Sequence, residues 1–378
     1  MLYLLISTVV VGTAYFLLIL YFLYHWSKIP QWNFPSHFIP STTVSIIIPA
    51  RNEATNIEAC VKAILCQNYP AHLMEVIVVD DHSEDDTASI VQSLPDPRIH
   101  LIGLADYPIQ GLAFKKHGIH TGIQQSQGDL IVCTDADCEM GPEWLRSMVA
   151  FFEQEKVQMI AGPVNFYQEK NLLERFQSLD FLGMMLLTGA GLQSGLMRMG
   201  NGANLAYTRA AFEAVNGFAG VDQLASGDDL FLMHKIEQRY PGQVKFLKSL
   251  KATVYTMAMP DWRSFFQQRV RWGTKNAAYQ EWRITVVLGL VFGLCWAIIV
   301  AALLSPFVPG FGWCLLILLL AKIGADCLLL STASTFFQRK DLLRVFWQAQ
   351  VLHILYIAIV GLWANVWKQY EWKGRQVQ

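Results

Sequence analysis

Residues 129–137 read DLIVCTDAD. The run 129–134 is short, apolar and partly β-branched, so it reads as a buried strand, and Asp135 and Asp137 follow it directly. The same arrangement occurs upstream. VSIIIP at 44–49 leads into Ala50-Arg51-Asn52-Glu53, and MEVIVV at 74–79 leads into Asp80-Asp81. Helical stretches separate these strands; Thr55-x-x-Glu58 reads as a capping box that opens one, with Pro70 as its stop. From Thr42 to about Lys251 the alternation predicts a mostly parallel α/β sheet. Ligands of open α/β sheets sit beyond the carboxyl ends of the strands, so both acidic clusters should share one rim.

Outside that unit the composition changes. The chain has 378 residues, of which 53% are hydrophobic and 16% charged, against roughly 25% charged in an ordinary soluble domain. Residues 1–27 hold no Lys, Arg, Asp or Glu, and residues 284–337 hold only Lys322 and Asp326. A purely soluble enzyme is excluded. Residues 2–24 are one apolar run, long enough to cross a hydrocarbon core of ~30 Å. The run lacks the basic start and small-residue cleavage site of a removed signal, so it reads as a retained anchor. Further apolar runs at about 284–304, 311–331 and 346–366 predict membrane helices.

The expected organisation is an anchor at 1–27, a proline-rich linker at 28–40, the α/β unit at 41–258, an amphipathic interfacial helix at 259–283, membrane helices at 284–367 and a tail at 368–378. A net charge of −1 provides no basic field to gather nucleic acid. The seven cysteines are odd in number and include no C-x-x-C, so the polar unit is expected to face a reducing cytoplasm.

The chemistry-bearing residues follow the strands. Two carboxylates one residue apart, Asp135 and Asp137, can approach one hard cation, and Mg²⁺ is typically held by a few carboxylates together with phosphate oxygens. Asp81 suits either a nucleoside hydrogen bond or a structural turn, whereas Glu84, Asp85 and Asp86 read as charges at a helix N-terminus. Asp228-Asp229 open a helix after Gly227; they can cap it or take a proton from a hydroxyl. Over 261–280, Trp262, Phe265, Phe266 and Val270 fill one helical arc, and Gln268, Arg271, Trp272 and Lys275 an adjacent one. That pattern suits a helix on a membrane surface with its polar arc towards the domain. An Arg in this setting suits a diphosphate, and a Trp offers a flat surface to a sugar or base. The sequence has no G-x-G-x-x-G and no P-loop, which argues against dinucleotide dehydrogenases and P-loop NTPases.

Taken in order, IPARNE (48–53), VDDHS (79–83), TDAD (134–137), GDD (227–229) and Q-x-x-R-W (268–272) resemble the membrane glycosyltransferases of family 2. That group includes cellulose, chitin-oligosaccharide and hyaluronan synthases and ceramide glucosyltransferase. The resemblance covers 44–272 by motif and the apolar ends by layout. It implies a GT-A fold and inverting transfer of a sugar from a nucleotide-sugar, assisted by Mg²⁺ or Mn²⁺. By the same resemblance Ala50, Asn52, Glu53 and Asp81 hold the nucleotide, with Lys115 or Lys116 near it, and Asp135 and Asp137 are the D-x-D pair. Gln268, Arg271 and Trp272 face the donor. Asp229 is the implied base, with Asp228 as the alternative. The loop 200–209, with Gly202 and Asn204, falls where relatives contact the acceptor, but its wording departs from the synthases.

The expected partners are a nucleotide-sugar, most simply a UDP-sugar, a lipid or lipid-linked acceptor and the membrane; oligomerisation stays open. The expected location is the inner membrane, with the catalytic unit in the cytoplasm. A processive polysaccharide synthase and a non-enzymatic scaffold with a decayed transferase domain are the rival readings. Lys322 and Asp326 lie mid-span and one helical turn apart, so their face is expected to point into protein, towards the N-terminal or last span. The side of the tail is contested. Three full C-terminal crossings put it outside, while Lys368, Lys373 and Arg375 favour the inside.

Overall fold

A computed structural model describes residues 1–107, 113–220, 227–274, 282–366, 370–372 and 375–377. The first helix, α1 (Leu2–Lys28), is followed by β1 (Val44–Ala50), α2 (Ile57–Leu65), β2 (Met74–Asp80), α3 (Thr87–Ser93), β3 (Ile99–Gly103) and α4 (Phe114–Gln124). Next come β4 (Leu130–Cys133), β5 (Glu139–Met140), α5 (Trp144–Glu155), β6 (Met159–Ala161), β7 (Val164–Tyr167) and α6 (Leu172–Ser194). Then follow β8 (Leu205–Thr208), α7 (Arg209–Ala214), α8 (Asp228–Arg239), β9 (Val244–Phe246), β10 (Val254–Met257) and α9 (Trp262–Thr274). The apolar helices α10 (Trp282–Leu304), α11 (Phe311–Phe336) and α12 (Phe346–Val366) precede a small hairpin, β11 (Tyr370–Trp372) and β12 (Arg375–Val377).

The main sheet runs β3-β2-β1-β4-β8-β6-β9. Strands β3, β2, β1 and β4 are parallel; β8 runs antiparallel to β4, and β6 and β9 are parallel to each other. Helices cover the parallel half, which explains why β1, β2 and β4 are almost continuously apolar and buried. Register sets the rim. Ala50 lies opposite Asp80, and Ile47 opposite Cys133, so the carboxyl ends of β1, β2 and β4 finish side by side. Because β8 is reversed, with Leu205 opposite Cys133, the loop leading into it opens on the same rim. A second small sheet, β5-β10-β7, starts two residues after Asp137.

Two local expectations change. The Thr55–Glu58 capping box does not form: α2 starts at Ile57, and the backbone N–H groups of Asn56 and Ile57 both donate to Glu53 O at 2.9 Å. The backbone carbonyl of the rim loop thus nucleates the helix, which ends at Leu65, well before Pro70. Among the acids 84–86, Asp85 serves the start of α3, accepting from Thr87 N (3.1 Å) and also from Ala54 N (3.0 Å). Glu84 turns instead to Arg51.

Among the described residues, four helices are long and apolar enough to cross a membrane: α1, α10, α11 and the stretch Lys340–Ala364, which covers most of α12. Helices α1 and α11 run in the same direction, with Gly12 against Ala321, and Trp26 packs edge-on to Phe336 at 5.2 Å. Lys322 and Asp326 face inwards, as their spacing predicts. Lys322 Nζ donates to Asp326 Oδ2 (2.5 Å) and to Gln350 Oε1 of α12 (3.2 Å), while Tyr15 of α1 donates to Asp326 Oδ1. Helix α6 joins the two halves of the molecule, with Gly183 against Leu330 and Gly189 against Trp26 and Phe246.

Candidate active site

The rim is built by backbone crossing between strand ends. Asp81 N donates to Ala50 O (2.8 Å), and Thr134 N donates to Ile47 O (3.2 Å). Arg51, which the sequence reading passed over, ties two of the loops together. Its Nη1 donates to the carbonyls of Asp81 (2.7 Å) and His82 (2.8 Å), and its Nη2 reaches Glu84 Oε1 at 3.2 Å. Asn52 adopts a left-handed φ of 52°, donates its N–H to Ser83 Oγ and accepts from Glu84 N. It is a loop brace. Glu53 is buried at 8% exposure and accepts from Asn56 Nδ2 at 2.9 Å, and Asp81, also 8% exposed, has Oδ1 3.1 Å from His82 Nδ1.

The D-x-D turn differs at its two acids. Asp135 receives Lys115 Nζ at 2.5 Å, while Asp137 is exposed. Around them sit two buried thiols. Cys60 donates to Asp135 O at 3.5 Å; burial, and then the charge of Asp137, pushes its thiol well up. Cys138 is raised too, by burial and then by Asp137 and Asp135. Both stay protonated at neutral pH, so the available donors are carboxylate oxygens. Among the described residues no cluster of three His, Cys, Asp or Glu could hold a metal. The oxygen-only pair still fits a hard cation that takes most of its ligands from phosphate and water.

Helix α4 brings a second part of the rim to the first. Lys116 is 1% exposed, and its Nζ stands 5.6 Å from the ring centre of Phe231, two residues after Asp229 in α8. Consecutive lysines thus reach the D-x-D turn and the first turns of α8. Asp229 is 9% exposed, and its Oδ1 accepts from Leu230 N (2.8 Å). The side chain of Asp228 lies outside the described residues.

Asn204 is not exposed to an acceptor. It is fully buried, donates Nδ2 to the carbonyls of Pro163 (2.7 Å) and Ala252 (2.9 Å), and accepts from Trp144 Nε1 (3.0 Å). A Cβ on Gly162 would stand 2.4 Å from that Nδ2, so the glycine makes room for it. Gly202 is buried in the turn just before. The loop leads into β8 on the rim, and the side chain of Asn204 is spent inside the fold.

Helix α9 follows β10, which pairs with β5 just after the D-x-D turn. Phe265 and Val270 are buried as expected. Arg269 is buried as well, at 4% exposure, because Asp180 of α6 lies 3.1 Å from its Nη2. Its place inside the apolar arc of α9 is the signal that could have found it. Gln268, Arg271 and Trp272 are half-buried. Lys275 lies outside the described residues.

With this geometry in view, the likenesses fall into line. Residues 45–215 match the family model for glycosyl transferase family 2. Glycosyltransferase AglE of Haloferax volcanii is 36% identical over 123 residues, 32% of this chain and 40% of that one. A beta-monoglucosyldiacylglycerol synthase of Nostoc sp. is 26% identical over 247 residues, 63% of this chain and 49% of that one. The chain spans about half the length of the curated relatives it matches. A solved mannosyltransferase of Pyrobaculum calidifontis, in complex with GDP-Man and Mn²⁺, aligns over 94% of this chain and 98% of its own at 21% identity, with a TM-score of 0.58. The fold is GT-A, joined to apolar helices at both ends. The chain carries a family 2 glycosyltransferase domain.

Proposed function

We propose that the protein is an inverting glycosyltransferase that moves one sugar from a nucleotide-sugar, a UDP-sugar in the simplest case, to a lipid or lipid-linked acceptor. The observation that carries this reading is the convergence at α4: Lys115 on Asp135 at 2.5 Å, and Lys116 against Phe231 beside Asp229. This convergence supports a donor site and a base on one rim. Two kinds of curated relative carry a lipid in their names, the beta-monoglucosyldiacylglycerol synthases and the undecaprenyl-phosphate 4-deoxy-4-formamido-L-arabinose transferases. The apolar helices keep the rim close to a membrane, and free thiols suit a cytoplasmic face of the inner membrane.

In this reading the ends of β1 and β2, with Ala50, Glu53 and Asp81, receive the nucleoside, and Asn52 holds their loops in place. Asp137 and Asp135 hold Mg²⁺ or Mn²⁺, which when bound neutralises charge on the leaving diphosphate. Lys115 rests on Asp135 and is available to turn to a diphosphate. Arg271 adds a fixed positive charge, and Gln268 and Trp272 flank the sugar. Asp229, low in exposure and at the start of α8, takes the proton of the acceptor hydroxyl as it attacks the anomeric carbon from the opposite face. A positioned base of this kind contributes about 10²–10⁴-fold.

The test uses the full chain in nanodiscs of bacterial polar lipids, with UDP-glucose, UDP-N-acetylglucosamine and GDP-mannose as donors and mass spectrometry of the lipids as readout. A lipid heavier by one sugar is expected. Asp229→Asn should retain UDP binding and lose at least about 10²-fold in transfer. Asp137→Ala should lose transfer and Mn²⁺-dependent UDP binding with an unchanged melt. Transfer that survives EDTA, or an active Asp137→Ala chain, would sink the metal role. A larger loss at Asp228→Asn would move the base by one residue, and a ladder of products would establish the processive alternative.

A further inference from the structure

Away from the rim, the buried ionisable groups gather where α9 meets the apolar helices. Asp180 of α6 lies 3.1 Å from Arg269 Nη2 and accepts a hydrogen bond from Tyr356 Oη of α12 at 3.1 Å, with His353 Nε2 3.9 Å away. The Arg269 side chain is 3% exposed, that of Asp180 7%. The guanidinium centre stands 4.4 Å from the Trp272 ring centre, 5.1 Å from that of Phe265 and 5.7 Å from that of Tyr356. Its Nη1 also approaches Met184 Sδ at 3.5 Å. Trp272 also packs against Phe181, the neighbour of Asp180, at 6.1 Å between ring centres.

A buried ion pair is an inefficient stabiliser, because desolvation offsets much of the Coulomb gain and a well-packed apolar pair of similar volume often serves as well. What this pair adds is direction. Arg269 and Trp272 are three residues apart and therefore neighbours on one helix face. The guanidinium forms an ion pair with a carboxylate from α6 that itself accepts a hydrogen bond from a hydroxyl of α12. Its Nε and Nη2 are buried without a hydrogen bond, so charge and stacking hold it. Rotation of α9 about its axis would break the ion pair and the stack together.

We infer that Arg269 and Asp180 are positioning residues for sugar transfer: the pair fixes the rotation of α9 and the plane of the Trp272 ring, and so where Gln268, Arg271 and Trp272 meet the donor. This rests on the proposed donor role of those three residues. The guanidinium plane matters as well as its charge, since an ammonium has no flat face to stack on the Trp272 ring.

The test uses the full chain in nanodiscs, labelled with 5-fluorotryptophan, the Trp272 ¹⁹F resonance being identified with Trp272→Phe. In Arg269→Lys and Asp180→Asn the Trp272 resonance is expected to shift or broaden. With UDP-glucose, UDP-N-acetylglucosamine or GDP-mannose, whichever the wild type turns over, kcat should fall by about 10²-fold, the order expected when reacting groups are misplaced by about 1 Å. KM for the donor should stay within about threefold. The double variant should be little worse than either single, because both remove one interaction. An unmoved Trp272 resonance overturns the inference whatever the turnover, as does an unchanged kcat in a chain that merely melts lower. A resonance that moves while the wild type turns over none of the donors sinks the transferase reading and leaves the coupling of Arg269 to Trp272 standing.

Discussion

Asn204 sits in a loop that points at the reaction rim, yet its amide works entirely inwards. Three buried groups bond to it: the carbonyls of Pro163 and Ala252 and the indole N–H of Trp144. Pro163 O also accepts from Val254 N at 3.0 Å, so Asn204→Ala strands the Ala252 carbonyl and the Trp144 indole, and each buried polar group left unpaired costs about 1–3 kcal/mol. A stability loss of about 3 kcal/mol is therefore expected in denaturant titration, with UDP affinity of the folded chain unchanged. A variant that melts like the wild type but needs more acceptor lipid would return Asn204 to the acceptor site. Asp81, Asp135 and Asp137 were legible as rim residues because each follows an apolar strand run, and the ends of adjacent parallel strands must share an edge. Arg51 and Asn204 were not, because their partners lie on loops and strands remote in sequence.

At the scale of elements, periodicity found α9 and the apolar helices but judged the faces of α9 incompletely. Arg269 sits inside an apolar arc because the surface opposite offers Asp180 and Tyr356, which no pattern within α9 itself encodes. Capping failed for a related reason: Thr55 and Glu58 have the right spacing, but the carbonyl of Glu53 already starts α2. On α11 the spacing of Lys322 and Asp326 was sufficient, since a pair four residues apart in an apolar helix can satisfy itself. Lys322→Leu leaves Asp326 hydrogen-bonded to Tyr15 without its cation, and Asp326→Leu leaves Lys322 beside Gln350 without its anion. Removing one partner of a buried pair costs about 3–5 kcal/mol, whereas replacing both is often neutral. Melting in detergent should therefore fall more for each single variant than for the Lys322→Leu, Asp326→Leu double variant. Equal melting of all three would remove the pair from the energetics of the bundle.

For the whole molecule, packing bears on the side of the tail, where two rules of sequence conflict. The Lys340–Val345 turn that leads into α12 follows Arg339, which donates to Phe166 O (3.1 Å) and reaches Glu169 Oε2 (2.9 Å) beside the small sheet. Midway, Tyr356 bonds Asp180 of α6. Near its end, Ala364 stands where a Cβ on Gly273 of α9 would meet it at 2.9 Å, and β11 packs against α9. By contrast, the distant ends of α1 and α11 meet each other, with Met1 against Gly310. Trp347, Val351, Leu355, Ile359 and Trp363 form one exposed apolar stripe along α12, as on a helix laid into lipid with its other face on protein. We therefore expect the β11–β12 hairpin, which includes Arg375, to lie on the same side as the domain that carries the rim; Lys368 and Lys373 lie outside the described residues. An epitope placed after Gln378 should be cleaved by protease in the same vesicles, inverted or right-side-out, in which the domain is cleaved. Cleavage of epitope and domain in opposite vesicle orientations would show instead that α12 carries the chain across.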